Sequence, residues 1–162
     1  MNYADIKYCD VANGEGVRVS LFVSGCTHHC KECFNKEAWD FHYGNPFTQK
    51  EIDRILEYLK PNYIAGLSLL GGEPMEPVNQ EGILPLLRVV KQTYPEKNIW
   101  CYTGYLFDKD VLDKMCKESE VTKEIVSYLD IVVDGEFMID RKNLKINFRG
   151  SDNQRIIDVK KT

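Results

Sequence analysis

Three cysteines fall within one short stretch, Cys26-Thr27-His28-His29-Cys30-Lys31-Glu32-Cys33. Thiolates bind iron and zinc, and ligands this close in sequence can wrap one small inorganic centre. A [4Fe–4S] cluster ordinarily takes one cysteine for each iron. A C-x3-C-x2-C array leaves one iron without a protein ligand, open to a substrate that can chelate it. The competing reading is a structural Cys3His zinc site, with His28, His29 or His42 as its last ligand. Spacing alone leaves both readings standing. Cys9, Cys101 and Cys116 are scattered and predict no second cluster; Cys101, set among aromatics, reads as a small core residue.

A second constellation is Gly71-Gly72-Glu73-Pro74. Two glycines admit close approach of a ligand to the backbone, and Pro74 fixes the turn that follows. By itself this is an ordinary strand-to-helix turn. Thr103-Gly104 and Asp134-Gly135 close two further apolar runs in the same way. Arg18 reads as one half of a salt bridge.

These residues need a scaffold that brings them to one place. Arg18 to Ser24, Leu67 to Leu70, Asn98 to Tyr102 and Asp130 to Val133 are short, nearly continuous apolar runs, the pattern of strands buried on both faces of a parallel sheet. Helical patterns lie between them. Thr48 and Glu51 form a capping box ahead of Ile52, Ile55, Leu56 and Leu59, and Pro61 ends the run. Ile83, Leu84, Leu87 and Val90 make a second stripe, with Pro85 obscuring its start. Asp108 is a candidate cap for a third helix through Val111, Leu112 and Met115, and 121–129 reads as a fourth. Alternation of this kind predicts an α/β fold with a mostly parallel sheet and right-handed crossovers. Ligand sites in such folds lie beyond the carboxyl ends of the strands, where Cys26, Glu73, Thr103 and Asp134 all fall. The strands are too few for a closed eight-fold barrel, so an open partial (β/α) barrel in a single domain over residues 1–162 is expected.

Composition narrows the function further. The chain has 162 residues, 43% apolar and 28% charged, with net charge −4. That balance supplies no basic field for nucleic acid. No apolar run reaches the roughly 20 residues that span a bilayer. The first residues lack the charged start and apolar stretch of a signal peptide. A cytoplasmic protein without membrane or nucleic-acid partners is expected, and disulfides are not expected there.

The cysteine array followed by Phe34, together with Gly71-Gly72-Glu73-Pro74, resembles the radical S-adenosylmethionine (SAM) superfamily. The resemblance implies a partial barrel, a [4Fe–4S] cluster on Cys26, Cys30 and Cys33, and SAM. It places SAM against Glu32, Cys33, Phe34, Gly71, Gly72, Glu73 and, less directly, Thr103, with no catalytic side chain beyond cluster and SAM. Asn13-Gly14-Glu15-Gly16-Val17-Arg18, Trp100-Cys101-Tyr102-Thr103-Gly104-Tyr105, Val133-Asp134-Gly135-Glu136-Phe137 and the closing Phe148-Arg149-Gly150-Ser151-Asp152-Asn153-Gln154-Arg155 narrow it. They resemble the family that activates anaerobic (class III) ribonucleotide reductase, from about Asn2 to about Ile157. That family implies a protein substrate, the reductase, on which a glycyl radical is made, and reduced flavodoxin or ferredoxin as electron donor. Activation of another glycyl-radical enzyme such as pyruvate formate-lyase, small-molecule radical SAM chemistry and a zinc-binding interaction module are the alternatives.

Overall fold

A computed structural model describes residues 1–26, 40–136, 148–149, 151 and 153–161. The strands are β1 (Asn2–Asp10), β2 (Val17–Val23), β3 (Asn45–Pro46), β4 (Ile64–Gly71), β5 (Asn98–Thr103), β6 (Ile131–Asp134) and β7 (Arg155–Asp158). They form one mixed sheet in the order β3-β1-β2-β4-β5-β6-β7. The middle of the sheet, β2-β4-β5-β6, is parallel and runs in chain order. β1 lies antiparallel on β2, and β7 antiparallel on β6. The sheet is open: β3 and β7 are its two ends.

The four expected strands are the parallel centre, each within a few residues of its expected bounds. β1 and β7 have no counterpart among the sequence-based expectations. β1 is largely exposed and irregular in register, and β7 is short and half exposed. Neither carries the apolar run that marks a buried strand.

α1 (Gln49–Leu59) joins β2 to β4 through β3, and α2 (Pro77–Thr93) joins β4 to β5. Glu51 accepts hydrogen bonds from both the Thr48 backbone N–H and its hydroxyl, the expected cap. α2 starts at Pro77, where a missing N–H costs nothing, and runs straight through Pro85. The third helix differs from expectation. It is a π-helix, Phe107–Met115, which continues into α3 (Cys116–Glu118). Asp110, not Asp108, caps it by accepting the Leu106 N–H at 2.8 Å. α4 (Glu120–Tyr128) is capped by Ser119, whose hydroxyl accepts from the Thr122 N–H. Among the described residues no helix is long and apolar enough to cross a membrane.

The parallel strands alternate in what they bury. Val19, Leu21, Val23, Leu67, Leu69, Ile99, Cys101 and Val132 point into one core with Ile52, Ile55, Ile83, Leu87 and Ile125 of the helices. The intervening residues Arg18, Ser20, Ser68, Trp100 and Tyr102 therefore take the face opposite α1, α2 and α4. At the start of the strands this face is closed by the turn after β1. Gly14 sits there at φ +131°, and a Cβ on it would lie 2.7 Å from the Arg18 side chain and 3.2 Å from the Trp100 ring. Phe148 meets the Trp100 ring edge-on at 5.4 Å.

Candidate functional site

The opposite end of the sheet, beyond the carboxyl ends of the strands, gathers the expected chemistry. β2 runs out through Ser24 and Gly25 into Cys26, which is buried. Gly25 stands at φ +104°, and a Cβ there would come within 2.1 Å of the Phe41 ring. Only glycine lets the chain turn toward Cys26 beneath that ring. The turn after β4 is tied to this exit by its backbone. Gly71 pairs with Val23. The Gly72 N–H donates to Val23 O at 2.8 Å, and the Glu73 N–H to Gly25 O at 2.7 Å. The cysteine-bearing exit and the Gly-Gly-Glu-Pro turn thus form one hydrogen-bonded unit.

Glu73 is fully buried. One carboxylate oxygen accepts from the Gly104 N–H at 2.7 Å, the other from the Thr103 hydroxyl at 2.7 Å and the Met75 N–H at 2.9 Å. Its side chain therefore braces the end of β4 against the end of β5. Thr103 stands at the expected rim, with its hydroxyl spent on this brace. Burial, aided by the charge of Glu73, pushes the Cys101 thiol well above its ordinary range. That thiol stays protonated in the core, as a packing residue should.

Asn79, which the sequence did not single out, belongs to the same unit. Its Nδ2 donates to Ser24 O at 3.1 Å, to Glu73 O at 2.9 Å and, at 3.5 Å, to Gly25 O. The available signal was its spacing: Asn79 shares the buried face of α2 with Ile83, Leu86, Leu87 and Val90. A polar residue on an apolar stripe asks for a buried partner.

Asp134 also lies at the rim, with its carboxylate turned to Phe107 and Arg155. It is buried, accepts the Phe107 N–H at 2.8 Å, and pairs with both Nε and Nη2 of Arg155. Arg155 reaches Asp108 as well, at 3.1 Å. The hydrogen bond from Arg155 holds the Asp108 carboxyl below its ordinary range. The arginine of the closing sequence block thus locks β7 to β6 and to the π-helix.

Arg18 lies far from these groups, at the start of the strands, and forms no salt bridge among the described residues. Its guanidinium donates to Ser68 Oγ (2.7 Å), Leu67 O (2.9 Å), Glu15 O (3.0 Å) and Asn98 O (3.2 Å). Burial lowers its pKa to about 10.

Cys30, Cys33, Glu32, Phe34, His28 and His29 lie outside the described residues. Among the described residues no three histidines, cysteines or acids converge as a metal-holding group. His42 has its side chain 96% exposed and beside Asp40, unlike the buried Cys26. A thiol delivered to the rim by a glycine turn, next to a hydrogen-bonded glycine loop, fits the cysteine donors of an iron–sulfur centre.

Sequence comparison places the chain in a class: residues 12–157 match the family model described as a 4Fe-4S single cluster domain. Curated relatives resolve it further. The chain is 43% identical over 158 residues to the anaerobic ribonucleoside-triphosphate reductase-activating protein of Enterobacteria phage T4, covering 96% of this chain and 93% of that one. It is 40% identical to the protein of that name from Pasteurella multocida, with 96% of both chains covered. The one from Escherichia coli K12 is 38% identical, covering 95% of this chain and 96% of its own. The chain belongs to the family of anaerobic ribonucleoside-triphosphate reductase-activating proteins.

Proposed function

We propose that this protein is a radical SAM enzyme of partial-barrel type that generates a glycyl radical on anaerobic ribonucleotide reductase. In this reading Cys26, Cys30 and Cys33 hold a [4Fe–4S] cluster, and SAM lies against Glu32, Cys33, Phe34 and the turn formed by Gly71, Gly72 and Glu73. Held by these cysteines, the cluster would supply the one-electron reducing power for SAM cleavage, and through it for removal of a hydrogen atom from a reductase glycine.

The chain's own residues do the positioning. Gly25 turns Cys26 to the rim, and the Gly72 and Glu73 N–H groups fix the glycine loop against that turn. Because the Glu73 carboxylate is held by Thr103, Gly104 and Met75, the backbone carbonyls of Gly71 and Gly72 are the better partners for the SAM ammonium. Thr103 then acts through Glu73 and not on SAM directly. The Gly14 turn and Arg18 close the amino-terminal end of the face opposite α1, α2 and α4, so the reductase segment approaches from the rim side. Reduced flavodoxin or ferredoxin supplies the electron, and the reaction belongs to the cytoplasm.

The observation that carries this reading is the joining of the Cys26 exit to the Gly72–Glu73 turn by backbone hydrogen bonds, in a chain whose relatives described above are of almost equal length and named for the reductase. That naming favours the reductase over other glycyl-radical enzymes or a small molecule. The test is anaerobic reconstitution. About four iron and four sulfide per chain are expected. Addition of SAM and a strong reductant then gives 5′-deoxyadenosine, and addition of the reductase gives a glycyl radical in electron paramagnetic resonance. Zinc in place of iron, without SAM cleavage, returns the chain to the zinc-module alternative. Cleavage without a radical on the reductase leaves the chemistry and removes the partner.

A further inference from the structure

The amide of Asn79 occupies an unusual place. Its Nδ2 meets carbonyls of both loops that the proposed chemistry needs: Ser24 O and Gly25 O directly before Cys26, and Glu73 O in the glycine turn. The residue is fully buried, in the first turn of α2. Its Oδ1 is enclosed and has no hydrogen-bond partner among the described residues. An amide turned the other way would set an oxygen against three carbonyl oxygens, so the orientation is fixed by electrostatics. The fold thus leaves one buried acceptor unsatisfied in order to spend the NH2 group on two loops at once. A side chain needed only to fill the core would carry no such cost.

We infer that Asn79 is a positioning residue for the SAM reaction, setting the distance between the cysteine-bearing exit of β2 and the Gly72–Glu73 turn. The inference rests on the radical SAM reading above. Two further contacts link these loops, the Gly72 and Glu73 N–H donations to Val23 O and Gly25 O. Both lie along the edge where β2 and β4 already pair. Asn79 approaches from the helix side and braces the loops from a second direction. Without it, the cluster end and the SAM end of the site each remain but lose their fixed spacing. Spacing errors of this kind weaken a ligand that must touch both ends at once, while leaving each end chemically intact.

The test compares Asn79→Leu, similar in size and without a donor, with the unaltered protein, each as reconstituted holoenzyme. The variant is expected to melt within a few degrees of the parent and to hold the same iron and sulfide. Its KM for SAM rises about tenfold or more, while kcat for 5′-deoxyadenosine at saturating SAM changes less than about threefold, as expected for an interaction lost equally from ground and transition states. In hydrogen exchange of the cluster-free protein, the amides of Gly72 and Glu73 exchange faster in the variant and those of the β5–β6 pair do not. An unchanged KM with a loaded cluster overturns the inference. So does a loss of iron, melting temperature and kcat together, which marks a residue needed only for folding. If the parent protein itself fails to cleave SAM, the radical SAM reading falls, whatever Asn79 does.

Discussion

The two ends of the parallel sheet each bury a charged side chain, and they use it differently. At the carboxyl end, Glu73 gathers donors from β5 and from its own turn. At the amino end, Arg18 gathers acceptors from the turn after β1, from Leu67 within β4 and from the start of β5. Both act as staples across strands. The amino end is then sealed by Gly14 and Trp100, while the carboxyl end is where Cys26 emerges. One staple closes a floor; the other holds a rim in shape. If so, damage to the rim should remove chemistry before stability, and damage to the floor should do the reverse.

The sharpest separation comes from Cys26→Ala. A methyl group cannot replace a thiolate ligand, so SAM cleavage should fall to background and the cluster should be lost or unstable. The melting temperature of the cluster-free protein should move little, because Cys26 is a small residue at the edge of the core. Iron analysis and calorimetry read the two halves of this prediction. Comparable loss of fold and chemistry would break the contrast between the ends.

Arg18→Ala should do the opposite. It strips donors from three carbonyls and a hydroxyl and opens a cavity beside Trp100, at a cost of about 3–5 kcal/mol. For a chain of this size that is a fall of on the order of 10 °C in melting temperature. Below the new melting temperature, KM for SAM should stay near that of the parent. A variant that melts normally yet fails to bind SAM would show that the floor is part of the site.

Glu73→Gln has an intermediate effect. The glutamine keeps one acceptor oxygen and turns an NH2 toward an N–H or hydroxyl donor, costing roughly 1–3 kcal/mol. Because this staple lies in the rim, stability and SAM affinity should fall together. Thermal melting and SAM titration on the same sample read both. If affinity collapses while stability holds, the carboxylate touches SAM itself and the brace is incidental.

The same contrast explains what the sequence could disclose. The strands β2, β4, β5 and β6 were legible because each must be apolar toward the helices, and each ends in a glycine that turns the chain at the rim. The motif around Glu73 was legible as a loop; the direction of its carboxylate was not. A glutamate facing SAM and one facing Thr103 have the same spelling, and the choice is set by how β5 lies beside β4. Arg18 misled for a related reason. A buried arginine usually finds a carboxylate, yet here enough carbonyl oxygens converge to satisfy it. The bond of Arg155 to Asp134 spans β6 and β7, and β7 itself is too short and exposed to announce its place at the sheet edge.

The mildest prediction concerns pH and lies on the floor. Asp10 accepts from Ser20 Oγ at 2.6 Å, Asn13 Nδ2 at 2.6 Å and the Ala12 N–H at 2.9 Å. Burial alone would raise its carboxyl, but these hydrogen bonds, with help from Lys7, bring it below the ordinary range. A carboxyl that binds its proton less readily in the folded state than in the unfolded one favours folding once ionised. Its contribution is therefore complete above the unfolded pKa and fades as pH falls through the lower, folded value. Asp10→Asn removes that contribution. Urea unfolding from pH 3 to pH 7 should show the parent more stable than the variant at neutral pH, with the gap narrowing on acidification. SAM cleavage near neutral pH should be the same in both proteins, since Asp10 pairs with Arg18 at the start of β2, the opposite end of that strand from Cys26. A gap that stays constant across the range would assign the stabilisation to shape and not to charge. A change in SAM cleavage would extend the rim's influence along the whole length of β2.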